Sequence, residues 1–136
     1  MNLAIYLPFN WDADNPSMRL RRINLQKILS QKMGIDCQIV RQFSDLQSFD
    51  NILCCHFDPT LIAELKVLRK AGKRIFQDHS ENLMGLPYQH DTFSLADVIV
   101  CCSTKLAEIT REHYPSTQVV VVPDMYEEDW LIDASA

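Results

Sequence analysis

The segment ADVIVCCSTKLAEITREHYPSTQVVVVP, residues 96–123, constrains the fold more than any other stretch. It opens with a continuous apolar, β-branched run over 98–102, the pattern of a strand covered on both faces. Ser103 follows at once, and its hydroxyl can accept from an unpaired helix N–H. Leu106, Ile109 and Thr110 then fall on one helical face, with Lys105, Glu108, Arg111 and Glu112 on the other. Pro115 stops this helix, and a second apolar strand runs over 119–122. The spacing is too long for a hairpin, so the two strands are expected to be parallel with the helix crossing over.

The rest of the chain repeats this alternation. Further strands are expected over 3–7, 36–40, 52–56 and 74–77. Ser17 caps a first helix, whose apolar side carries Leu20, Ile23, Leu25, Ile28 and Leu29 and which Gly34 ends. Asp58-Pro59 opens a second helix that buries Leu61, Ile62, Leu65 and Leu68 and stops at Gly72. Residues 44–49 read as a short helical turn or loop, 80–91 as a loop or broken helix, and 92–96 as a short helix. The expected fold class is α/β, a Rossmann-like three-layer sandwich around a six-stranded parallel sheet of order 2-1-3-4-5-6. One domain spans 1–123, and 124–136 reads as a tail or truncated interdomain linker. Ligands on such sheets enter beyond the carboxyl ends of the strands, here between strands one and three. The loops at that mouth are 8–16, 56–59 and 78–82.

Composition narrows the function classes. A net charge of −5, with both signs interspersed, argues against a general nucleic-acid binder. The start of the chain lacks a signal-peptide pattern, and no apolar run approaches the roughly 20 residues that span a bilayer. Five cysteines, an odd number, all fall in expected strands, which reads as reduced buried thiols in a cytoplasmic protein. Adjacent strand residues point to opposite faces, so neither Cys54-Cys55 nor Cys101-Cys102 makes a chelating pair, and no metal is expected.

The commonest ligands of such sheets lack their signatures. The three glycines are Gly34, Gly72 and Gly85, and none follows the first strand, so the dinucleotide fingerprint is missing. There is no P-loop, and Pro8-Phe9 stands where a phospho-receiver has acids. Arg19, Arg21 and Arg22 crowd the first turns of the first helix, against the helix dipole unless an anion sits there. Arg19, nearest the helix start, is the best anion ligand; the other reading is a solvated face pairing with Asp12 or Asp14. His79 follows Asp78 at the carboxyl end of strand four, where an imidazole can serve a substrate as base or phosphate donor. The competing reading is a structural histidine bonding a loop carbonyl. His56 holds the matching position on strand three, and Glu81 is a second polar contact. His90 and His113 read as surface residues. The loop LMGLPY, 83–88, is apolar and reads either as a grip on an apolar acceptor or membrane surface, or as a loop folded back on its own helix layer.

Four segments together resemble the N-terminal, acceptor-side domain of GT-B glycosyltransferases of the retaining group called family 4. They are SMRLRRINLQKILSQKMGIDCQIV, SFDNILCCH, GKRIFQDHSEN and LADVIVCCSTKLAEITREHYPSTQVVVVPD, the last being the most specific. The likeness covers nearly all of this chain and half of the family's architecture, whose second Rossmann-like domain binds the nucleotide-sugar. It departs where PFNWDADNP replaces a glycine-rich turn after strand one, and where Asp124-Met125 replaces asparagine-glycine after the final proline. The resemblance implies hexosyl transfer from a nucleotide-sugar, with His79 as the active-site histidine and Arg19, His56, Asp78 and Glu81 as substrate contacts. It implies no cofactor. The partners expected are a donor-binding domain or subunit, a sugar or lipid-linked acceptor, a peripheral membrane contact and a second copy of the chain. The alternatives are a non-catalytic glycosyltransferase-like binding module and an α/β binder of unrelated function.

Overall fold

The computed structural model describes residues 2–8, 23–31, 33–79 and 88–122. Six parallel strands form one sheet: β1 (Asn2–Tyr6), β2 (Asp36–Val40), β3 (Asn51–Cys54), β4 (Arg74–His79), β5 (Val98–Cys101) and β6 (Gln118–Val121). Their order is β2-β1-β3-β4-β5-β6, as the alternation of apolar runs and helices predicts. Among the described residues four helices connect them: α1 (Asn24–Gln31), α2 (Pro59–Lys70), α3 (Gln89–Ser94) and α4 (Thr104–His113). A 3₁₀ segment, Phe43–Ser48, carries the chain from β2 to β3.

The helices divide between the two faces. Leu3, Ile5, Leu7, Cys37 and Leu53 form one core, packed against Leu25 and Leu29 of α1. Ala4, Tyr6, Ile52, Cys54, Ile75, Ile99 and Cys101 form the larger core on the other face. Leu61, Leu65 and Leu68 of α2, Phe93 of α3, Leu106 and Ala107 of α4 and Leu46 of the 3₁₀ segment close it. The strand order therefore reverses between β1 and β3, the place where α/β sheets open a crevice.

Helix ends follow the residues that can make them. Asp58 caps α2, its side chain accepting from the Leu61 N–H at 2.8 Å, and Pro59 takes the first turn. Ser103 caps α4 by accepting from the Leu106 N–H at 3.2 Å. Gly34 and Gly72 leave α1 and α2 at φ +66 and +82, a backbone that side chains with a Cβ disfavour. The Ser17 cap and the first turns of that first helix lie outside the described residues, as do 83–87 and the tail.

Several boundaries differ from the sequence reading. β3 stops at Cys54, so Cys55 and His56 lie in the following loop rather than in the strand. Tyr6, the last residue of β1, pairs with Cys54, the Leu7 N–H goes to the Val40 carbonyl, and the pairing of β3 with β4 also ends at Cys54, opposite Gln77. β4 runs two residues further than expected because β5 supplies partners to Asp78 and His79. Cys102 falls just past β5, and β6 starts one residue early, with Gln118 opposite Val98. α3 lies at Gln89–Ser94 rather than 92–96. Residues 95–97 are used in a turn instead, where the Asp97 carboxylate accepts the Ile75 N–H at 2.8 Å. On α4 Ala107 is buried and Ile109 only half-buried.

Candidate functional site

Parallel register sets Tyr6 beside Cys54, and Cys54 beside Gln77. Such partners point to the same face, here the one covered by α2, α3 and α4. His79 lies two residues beyond Gln77 on that face, opposite Cys101. His56 joins it from the loop: its ring lies 6.0 Å from that of Tyr6, and its carbonyl accepts from Gln77 Nε2 at 3.3 Å. The fold thus brings His56 and His79 to one side of the sheet. Strand alternation turns Asp78 to the other side, opposite Val100. Arg19 and Glu81 lie outside the described residues.

Acids and a phenol line the β1–β3 mouth. The Tyr6 hydroxyl donates to Glu64 Oε2 at 2.9 Å. Burial pushes the Glu64 carboxyl above its ordinary range; the Tyr6 bond opposes this, and the nearby Asp58 adds to it. Burial likewise pushes the Tyr6 phenol up, with Glu64 adding to the shift. Asp58 Oδ2 stands 3.8 Å from His56 Nε2 while Oδ1 caps α2. The N-terminus of α2 therefore holds a carboxylate of its own where an outside anion would bind. Ser103 occupies the corresponding place on α4.

Beneath His79 the chemistry changes to uncharged groups. His79 is 3% exposed and packs edge-on against Phe93. Burial holds its imidazole below the usual range, outweighing the pull of Asp78, so at neutral pH it carries one N–H donor and one bare acceptor. Gln77, fully buried, donates through Nε2 to the carbonyls of His56 and Asp78 at 3.3 and 3.4 Å. The reverse orientation would set its oxygen against two carbonyl oxygens, so the amide is assigned. Gln89, 1% exposed, lies one helical turn before Phe93 on the same face of α3. Among the described residues, Gln77 Oε1, His79 Nε2 and both polar side-chain atoms of Gln89 have no hydrogen-bond partner. Each such buried atom costs about 1–3 kcal/mol. Tyr88, just before Gln89, has a left-handed backbone at φ +68, uncommon for a residue with a side chain.

No protein-family model, curated protein or solved structure matches this chain.

The local chemistry is that of a neutral imidazole with the Gln77 amide on the same strand face and the Gln89 amide on the helix that Phe93 packs against it, suited to taking and giving hydrogen bonds and to accepting a proton from a hydroxyl. Among the described residues no three His, Cys, Asp or Glu side chains converge to hold a metal ion, and no helix is long and apolar enough to cross a membrane. His90 is exposed as expected, yet its ring stacks on Tyr114 at 5.6 Å. An open groove along β2, lined by Asp36, Gln38, Arg41, Ser44 and Phe49 among others, lies at the sheet edge away from the histidines. The sequence reading missed Gln77, Gln89 and the Tyr6–Glu64 pair. Gln77 did leave a signal, as a polar residue at an inward position between Ile75 and His79.

Proposed function

We propose that this chain is the acceptor-side half of a glycosyltransferase, working with a donor-binding domain or subunit that supplies the nucleotide-sugar. The observation that carries the reading is the position of His79: the carboxyl end of β4, on the same side as His56, one strand from the point where the strand order reverses. The four sequence segments that resemble family 4 enzymes support it, and the six-stranded parallel order agrees with their fold. In this reading the acceptor, a sugar or a lipid-linked sugar, lies over the ends of β1, β3 and β4. Holding it there against the donor supplies the rate through positioning and charge stabilisation.

A second reading, a glycosyltransferase-like binding module without catalysis, is favoured by the burial of His79, which leaves its ring little contact with solvent. Calorimetry with UDP-glucose and GDP-mannose separates the donor side from this one. The chain alone is expected to show no micromolar affinity for either, and hexosyl transfer is expected only when a donor-binding half is added. Micromolar binding by the chain alone would overturn the half-enzyme reading. Transfer that survives His79→Ala would remove His79 from it.

A further inference from the structure

We propose that Gln77, His79 and Gln89 form a recognition site for one uncharged, hydroxyl-bearing group, and that they discriminate against phosphate and other anions. The four unpartnered atoms comprise two amide oxygens, one amide NH₂ and one imidazole nitrogen, all on side chains at least nine-tenths buried. Buried polar atoms are nearly always paired, so four left unpaired on one strand face and the helix that covers it mark a partner not yet supplied. Gln77 and His79 are two residues apart on one face of β4, and Phe93 links His79 to the face of α3 that carries Gln89.

The character of the atoms defines the partner. Both acceptors and donors are present, and a hydroxyl satisfies both because it gives one hydrogen bond and receives two. No formal charge stands among the three side chains, and burial favours the neutral form of His79. An anion placed there would meet two amide oxygens, and none of the three side chains brings it a cation. The N-termini of the longer helices α2 and α4 are taken by their own caps, Asp58 and Ser103. The site therefore suits a sugar or polyol hydroxyl. That source of the hydroxyl rests on the glycosyltransferase reading; the neutral, donor-and-acceptor chemistry does not.

The test is a titration of the full chain, ¹⁵N-labelled in its glutamine side chains and ¹³C-labelled in its histidine rings. Glucose, N-acetylglucosamine, glycerol and inorganic phosphate are added in separate experiments. Saturable shifts of the Gln77 and Gln89 NH₂ signals and the His79 ring with at least one hydroxyl compound, and none with phosphate, are expected. Gln89→Met should weaken that binding about tenfold or more while keeping or raising the unfolding midpoint, because it removes an unpaired polar group. Should that variant not fold, Gln77→Met is read in the same way. Shifts with phosphate alone, or with none of the four, overturn the proposal. So does a permanently resident water that no hydroxyl compound displaces, or a Gln89→Met variant that is destabilised yet binds as before. Binding without hexosyl transfer when a donor half is supplied would end the glycosyltransferase reading and leave this site standing. Transfer without these shifts would do the reverse.

Discussion

The imidazole of His79 stands edge-on to the ring of Phe93, with centroids 4.9 Å apart and planes inclined at 75°. Phe93 meets Tyr114 in turn at 5.7 Å, so the histidine is held by aromatic packing between α3 and the C-cap of α4. No described hydrogen bond anchors its Nε2. This contact makes His79 at once the best candidate for chemistry and a group whose ionisation the fold resists.

Stability should fall as the medium becomes acidic through the histidine range. His79 has a folded pKa below its ordinary 6.5, so below that pH the unfolded chain binds a proton that the folded chain refuses. The slope of unfolding free energy with pH is then positive, and the loss levels off once pH passes the lowered folded value. Urea midpoints from pH 7.5 to 5 measure it. His79→Asn should flatten this part of the profile, making the variant relatively more stable at pH 5 than at pH 7.5. An unchanged slope would mean that other groups govern it.

Glu64 should show the opposite sign. Its folded pKa is raised, so the folded chain holds the proton more tightly, and stability is lost as pH rises from about the unfolded value of 4.5 through the folded one. Glu64→Gln keeps an oxygen for the Tyr6 hydroxyl and abolishes the titration. The variant should therefore gain on the parent between pH 4 and pH 7, measured by the same midpoints. Tyr6→Phe, which takes away the donor, should cost about 1 kcal/mol. A difference between Glu64→Gln and parent that does not vary with pH would refute the assignment.

Asp97 should matter more than the arginine it pairs with. One carboxylate oxygen accepts from the N–H of fully buried Ile75 at 2.8 Å, and the other faces Arg69 at 3.1 Å. The ion pair is exposed, 40% on Arg69 and 36% on Asp97, and such pairs contribute roughly 0–1 kcal/mol. Asp97→Ala strips a buried backbone donor of a charged acceptor and is expected to cost about 1–3 kcal/mol. Arg69→Ala should cost less, even though it also loses the 2.8 Å bond to the Leu95 carbonyl. Equal losses in chemical denaturation would show that the ion pair, not the Ile75 bond, ties the 95–97 turn to β4.

Local chemistry in the sequence was enough for the architecture. Apolar runs such as those in β1 and β5 leave water completely only when covered on both sides, and helices between them leave parallel pairing as the solution. Asp58, Ser103, Gly34 and Gly72 punctuate the helices through contacts or backbone angles a few residues away, which a linear reading can follow. The site was less legible. β4 continues through Asp78 and His79 because β5 offers them partners, although their polarity reads as a loop. That extension separates Asp78 from His79 across the sheet, against the expectation that both meet one substrate. The Tyr6–Glu64 bond joins residues 58 apart, and the burial of Gln77 and Gln89 depends on which helix covers which strand. Strand and helix signals are carried by near neighbours in the chain, whereas the partners of a buried polar atom are chosen only when distant elements pack together.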